Sequence, residues 1–66
     1  MESSVKIKIE IQCDNAAFDR GISREVLRII RKIEPEDIER VFEYGFKRLM
    51  DINGNTVGTI TIDEEN

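Results

Sequence analysis

Asp51, Asn53 and Asn55 set three oxygen-bearing side chains at alternate positions in the run Asp51-Ile52-Asn53-Gly54-Asn55. That spacing opens a calcium loop of the EF-hand type, whose positions 1, 3 and 5 supply oxygen ligands. The continuation departs from the pattern. Thr56 stands where the sixth position requires glycine, and Ile62 where the twelfth requires a bidentate glutamate. The same residues read better as a turn, because Asn-Gly between apolar runs supplies the positive φ a hairpin needs. Cys13, beside Asp14, is the one thiol of the chain. A reactive thiolate needs a base, a cation or a helix N-terminus next to it, and there is no histidine to act as base. The simpler expectation is a buried thiol that ends a strand. The absence of histidine also removes Ser-His-Asp and Cys-His catalysis and every zinc site that needs imidazole. A single cysteine removes an intramolecular disulfide and any multi-cysteine metal motif. No phosphate-binding loop, dinucleotide fingerprint or nucleophile elbow is present. The expectation is a non-enzymatic protein with no metal and no cofactor.

Charge is the other resource. The chain has 66 residues, 10 Lys+Arg and 14 Asp+Glu, for a net charge of −4. The balance is uneven: residues 1–33 carry +2 and residues 34–66 carry −6. Arg20, Arg24, Arg28, Arg31 and Lys32 form a basic stripe that could meet phosphate. No aromatic residues are interleaved with it and the chain is acidic overall, so nucleic acid is disfavoured and a solvated helix face is the plainer meaning. Glu36, Asp37, Glu39 and Glu43 form an acidic cluster near Glu34. It suits a helix N-terminus for purely local reasons, and it is also the first place to look for contact with a basic partner surface.

Elements must position these groups. Val5, Ile7, Ile9 and Ile11 alternate with Lys6, Lys8, Glu10 and Gln12, the period-two pattern of a half-buried strand. Asp14 and Asn15 break it as turn and N-cap residues. Ala16–Arg20 reads as a short helical turn with Phe18 plugging the core. Ser23 is the expected N-cap of a helix whose apolar face holds Ile22, Val26, Ile29, Ile30 and Ile33. Pro35 opens a second helix, and Gly45 ends it as a left-handed C-cap. Residues 46–52 then form a strand rather than more helix, because the Asn53-Gly54 turn needs an incoming strand. A loop of residues 53–55 places Phe46, Met50 and Ile52 beside Ile62, Gly58 and Thr56, with Arg48 opposite Ile60 as the misfit. Residues 57–62 are the last strand, and residues 63–66 a frayed polar tail. The order β-α-α-β-β gives one α+β domain: an antiparallel sheet of about three strands with helices on one face.

Two segments together resemble a known group. Cys13-Asp14-Asn15-Ala16-Ala17-Phe18 and Asp51-Ile52-Asn53-Gly54-Asn55-Thr56-Val57-Gly58 resemble motifs of very small uncharacterised proteins from bacterial viruses and prophages. In that group the first motif leads into a helix and the second lies in a terminal hairpin. Residues 34–45 depart from the group as a longer and more acidic connection. The resemblance implies a viral or mobile-element setting and no particular activity.

Three functional expectations follow. The first is an interaction module presenting a surface to a host or viral protein. The second is its narrower form, an inhibitor of host defence of the anti-CRISPR kind acting through the acidic cluster. The third is a nucleic-acid module using the basic stripe. No apolar run approaches the roughly 20 residues that cross a bilayer, and no cationic-then-apolar leader is seen. The expected place is the cytoplasm, that of the host cell in a viral setting. A small sheet leaves edges open, so a homodimer joined by edges or sheet faces across a two-fold axis is a further expectation.

Overall fold

The computed structural model describes residues 4–65. Strand β1 (Ser4–Ile11) leads through a 3₁₀ turn (Ala16–Phe18) to helices α1 (Ile22–Arg31) and α2 (Pro35–Tyr44). Strands β2 (Phe46–Met50) and β3 (Thr56–Glu65) follow. The sheet has the order β1-β3-β2 with both neighbours antiparallel, so the chain is a small α+β domain in β-α-α-β-β order. None of its helices is long and apolar enough to cross a membrane, among the described residues.

Local chemistry explains the helix ends. Pro35 occupies the first turn of α2, where its missing N–H costs nothing. The Glu34 amide donates to the Asp37 carboxylate at 3.0 Å, and the Glu34 carboxylate accepts from the Asp37 amide, closing a capping box. At the other end Gly45 turns left-handed at φ 93° and donates its amide to Val41 O at 2.8 Å. That reversal launches β2. The stretch from residue 46 is therefore strand, ending at Met50 rather than Ile52.

Phe18, Ile29, Val41, Leu49, Val57 and Ile60 form the buried core between helices and sheet. Several sequence expectations are corrected around it. Helix α1 begins at Ile22, with Gly21 and not Ser23 at the N-cap. Of the expected apolar face Ile29 is buried and Val26 and Ile33 pack against the core, whereas Ile22 and Ile30 are exposed and Glu25 is buried in their stead. The β2 register is also shifted. Lys47 lies opposite Ile60, Arg48 opposite Thr59 and Leu49 opposite Gly58, so Leu49 faces the core while Phe46 and Met50 are exposed. The turn between the strands spans residues 51–55, and a bulge between Leu49 and Met50 absorbs the odd residue. The last strand does not stop at Ile62. Its ladder with β1 continues to Glu65, opposite Ser4; Asn66 lies outside the described residues.

Strand β1 is the largest departure. Ile9 lies opposite Ile60 and Ile7 opposite Ile62, so its apolar side is on the helix face of the sheet. The helices nevertheless leave it open: Val5, Ile7 and Ile9 are 52%, 41% and 43% exposed. Where Ile11 of β1 pairs with Gly58 of β3 the backbones are in close contact. A Cβ at Gly58 would overlap the Glu10 carbonyl, so only glycine fits there.

Candidate functional site

The two motif segments, which begin at Cys13 and Asp51, meet around one carboxylate, Asp51, which is only 5% exposed. Asn15 donates through Nδ2 to Asp51 Oδ2 at 2.8 Å. The amides of Asn53 and Asn55 donate to Asp51 Oδ1 at 2.8 and 2.9 Å, and Asn55 Nδ2 reaches Oδ2 at 3.3 Å. The loop closes on its own backbone as well, with the Asp51 amide donating to Asn55 O and the Gly54 amide to Asp51 O. Asn15 caps the 3₁₀ turn at the same time, its Oδ1 accepting from the Ala17 amide at 2.9 Å. That turn holds Phe18 in the core. Burial pushes the Asp51 carboxyl up, but the donors from Asn55, Asn15 and Asn53 outweigh it and hold it below its ordinary value. Four donors occupy its two oxygens, which is a joint between segments rather than the opening of a cation loop. Among the described residues no group of three or more His, Cys, Asp or Glu is placed to hold a metal ion.

Not every residue of the motifs belongs to this joint. Asp14 is exposed. Cys13 is half-buried, packs against the core and directs its thiol at Ile11 O, 3.6 Å away. Gly58 acts at the close β1–β3 contact described above.

Glu25 is the residue that sequence reasoning missed. It is 6% exposed and adjoins the joint from α1. Arg28 grips it with two bonds of 2.8 Å, from Nε to Oε1 and from Nη2 to Oε2. The Ile52 amide donates to the same Oε2 at 2.9 Å. The Arg28 fork is the main reason the Glu25 carboxyl lies below its ordinary value, and the Ile52 amide adds to it against the cost of burial. The i, i+3 spacing of Glu25 and Arg28 was the available signal. Nothing local marked it as buried, because the decisive donor lies 27 residues away.

Beside this pair runs an open groove of about 760 Å³ between α1 and the 51–55 loop. Ala16, Ala17 and Ile52 give it apolar lining, and Arg20, Arg24, Arg31 and Lys32 border it. Arg28 also lines it but is committed to Glu25. The other four cations make no salt bridge among the described residues. The basic stripe is thus one structural pair and four cations around a concavity. No protein-family model, curated protein or solved structure matches this chain. The functional reading rests on its own residues.

The acidic cluster divides in the same way. Asp37 serves the α2 cap and lies 3.8 Å from the Lys47 ammonium. Glu36, Glu39 and Glu43 are exposed on the outer side of α2 and form no salt bridge among the described residues.

Proposed function

We propose that this chain is a non-enzymatic protein-interaction module that takes an acidic segment of a partner protein in the groove of α1. One observation carries the reading: four cations with no salt-bridge partner among the described residues surround a concavity with apolar lining. Carboxylates of a bound segment would meet the arginines, and its apolar side chains would meet Ala16, Ala17 and Ile52. A planar guanidinium pairs with carboxylate through two parallel bonds, which suits arginine to this task. The two buried carboxylates, Asp51 and Glu25, are committed to intrachain donors, and this supports a scaffold rather than a catalyst. The resemblance to small phage proteins supports a host or viral partner.

The test uses the full chain and two labelled probes, a short peptide alternating Glu and Leu and a single-stranded oligo-dT, titrated at low salt. The peptide should bind, and Arg24→Glu with Arg31→Glu should abolish binding while the circular dichroism spectrum stays unchanged. Binding of oligo-dT without the peptide would replace this reading with the nucleic-acid one, because phosphate contacts are strongest at low salt. Binding of neither would end it.

A second reading is an inhibitor of host defence acting through the acidic side of α2. It is favoured by the three exposed carboxylates Glu36, Glu39 and Glu43. Asp37 is excluded from that surface because it holds the cap. The triple Gln variant would lose the partner and keep the fold if this surface makes the contact.

A further inference from the structure

The molecule exposes too much surface for its mass. A compact monomer of 7.7 kDa should expose about 4,300 Å². This chain exposes 5280 Å². Its radius of gyration is 13.4 Å, against about 11 Å for a compact chain of this length. The extents, 47 × 19 × 16 Å, show an elongated body. The β1–β3 ladder accounts for much of this. It runs from Ile11–Gly58 to Ser4–Glu65, whereas β2 pairs only with residues 56–61 of β3. Beyond Thr61 the sheet is a two-stranded arm, an arrangement that is marginal in water when alone. Along it Val5 and Ile7, and at its base Ile9, stand open on the helix side.

The two edges of the sheet differ. Strand β2 is short and carries Lys47 on its inner face, which are devices that discourage edge pairing. Strand β1 has eight residues, no proline and a continuous register. Its free main-chain groups can be placed. Gln12 donates its amide to Val57 O, and the Glu10 carbonyl lies against Gly58, so even-numbered residues point at β3. In an antiparallel ladder this direction alternates. The amides and carbonyls of Val5, Ile7, Ile9 and Ile11 therefore point outward along the edge.

We propose that two copies of this chain join through β1, antiparallel about a two-fold axis centred on Ile9, to make one six-stranded sheet. Charge selects the register. Centred on Ile9, Lys8 faces Glu10 of the second copy twice, and Lys6 faces Gln12. Centred on Lys8, two Lys8 side chains meet. Centred on Ile7, Lys6 faces Lys8 twice. Only the first of these sets no like charges opposite one another. It also sets Ile9 against Ile9 and Ile7 against Ile11 of the second copy, on the same side of the sheet. The excess surface, roughly 1,000 Å² per chain by the mass scaling, is on the scale of the about 800 Å² that each partner buries in a stable interface. The groove of α1 is a separate surface, so this assembly stands or falls independently of the proposed function.

Sedimentation equilibrium of the full chain should give twice 7.7 kDa. Ile9→Lys should give a folded monomer, because this side chain is already half exposed in the single chain and the substitution sets two cations opposite one another. Lys8→Glu should weaken the dimer about tenfold by placing carboxylates opposite Glu10 twice, and Lys8→Glu with Glu10→Lys should restore it. A strict monomer at the highest soluble concentration overturns the proposal. So does a dimer that Ile9→Lys leaves intact, or one that the charge exchange does not restore.

Discussion

Replacing Asn15 with alanine tests the joint directly. The side chain makes two bonds of different kinds. Its Oδ1 caps the 3₁₀ turn through the Ala17 amide, and its Nδ2 donates to the Asp51 carboxylate. Losing an N-cap costs about 1 kcal/mol, and losing a hydrogen bond to a charged group about 1.5–3 kcal/mol. The expected loss is about 2–4 kcal/mol. A domain of this length has about 3–10 kcal/mol of net stability, so the variant gives up a large share of it. With a urea slope near 1 kcal/mol/M, the midpoint falls by about 2–4 M. The assay is urea unfolding followed by circular dichroism at pH 7 and fixed chain concentration, since association shifts the apparent stability. Two further variants separate the bonds. Asn15→Ser keeps a capping oxygen but falls short of Asp51, and should lose less than alanine. Asn15→Asp keeps the cap but sets a second carboxylate against Asp51. It should be the least stable at pH 7 and recover relative to the parent as the pH falls and one carboxyl takes a proton. A loss below about 0.5 kcal/mol for Asn15→Ala would refute the reasoning, because a bond that water replaces freely contributes nothing measurable. Parent-like stability of Asn15→Asp at pH 7 would refute it as well.

Acid should also weaken the fold. Glu25 and Asp51 titrate below their ordinary values of 4.5 and 3.8 in the folded chain. The stability they contribute is present above those values and is lost as the pH falls through the lowered ones. Thermal midpoints should therefore drop progressively below about pH 4.5, and Asp51→Asn should flatten that dependence; an unchanged slope would remove Asp51 from the account. At the close contact of β3 with β1, Gly58→Ala should cost about 1–3 kcal/mol or more, because the obstacle is the Glu10 backbone and not a flexible side chain. Hydrogen exchange should then show β1 amides losing protection before those of β2, and uniform protection across the sheet would contradict this.

Chain reversals were the most readable part of the sequence. Pro35, Gly45 and Asn53-Gly54 each act within one or two residues of themselves, so helix α2, the start of β2 and the hairpin followed from residue types. What escaped depended on partners distant in sequence. Glu25 reads locally as an acid in the first turn of a helix, favoured there by the helix dipole. Its burial depends on the Ile52 amide, which only the folded loop presents. The β2 register failed for a related reason. Asp51 draws the loop together by side-chain bonds, so the turn spans residues 51–55 and the side chains of β2, which precede it, exchange faces relative to the expected register. Of the candidate residues, Asn15, Asp51, Asn53 and Asn55 do converge. The basic and acidic stripes each contained a member, Arg28 and Asp37, already engaged in holding the fold. The alternation in β1 specified a strand correctly but could not reveal that no helix would cover its apolar side.

The central place of β3 also sets an order of events during synthesis. Both outer strands pair with it and neither pairs with the other. Residues 12–55 separate β1 from β3. At ribosomal rates of about 5–20 residues per second, the isoleucines of β1 wait roughly 2–9 s for their first strand partner. The helices close by local contacts meanwhile, and the arrival of β3 ties both ends of the chain into one sheet.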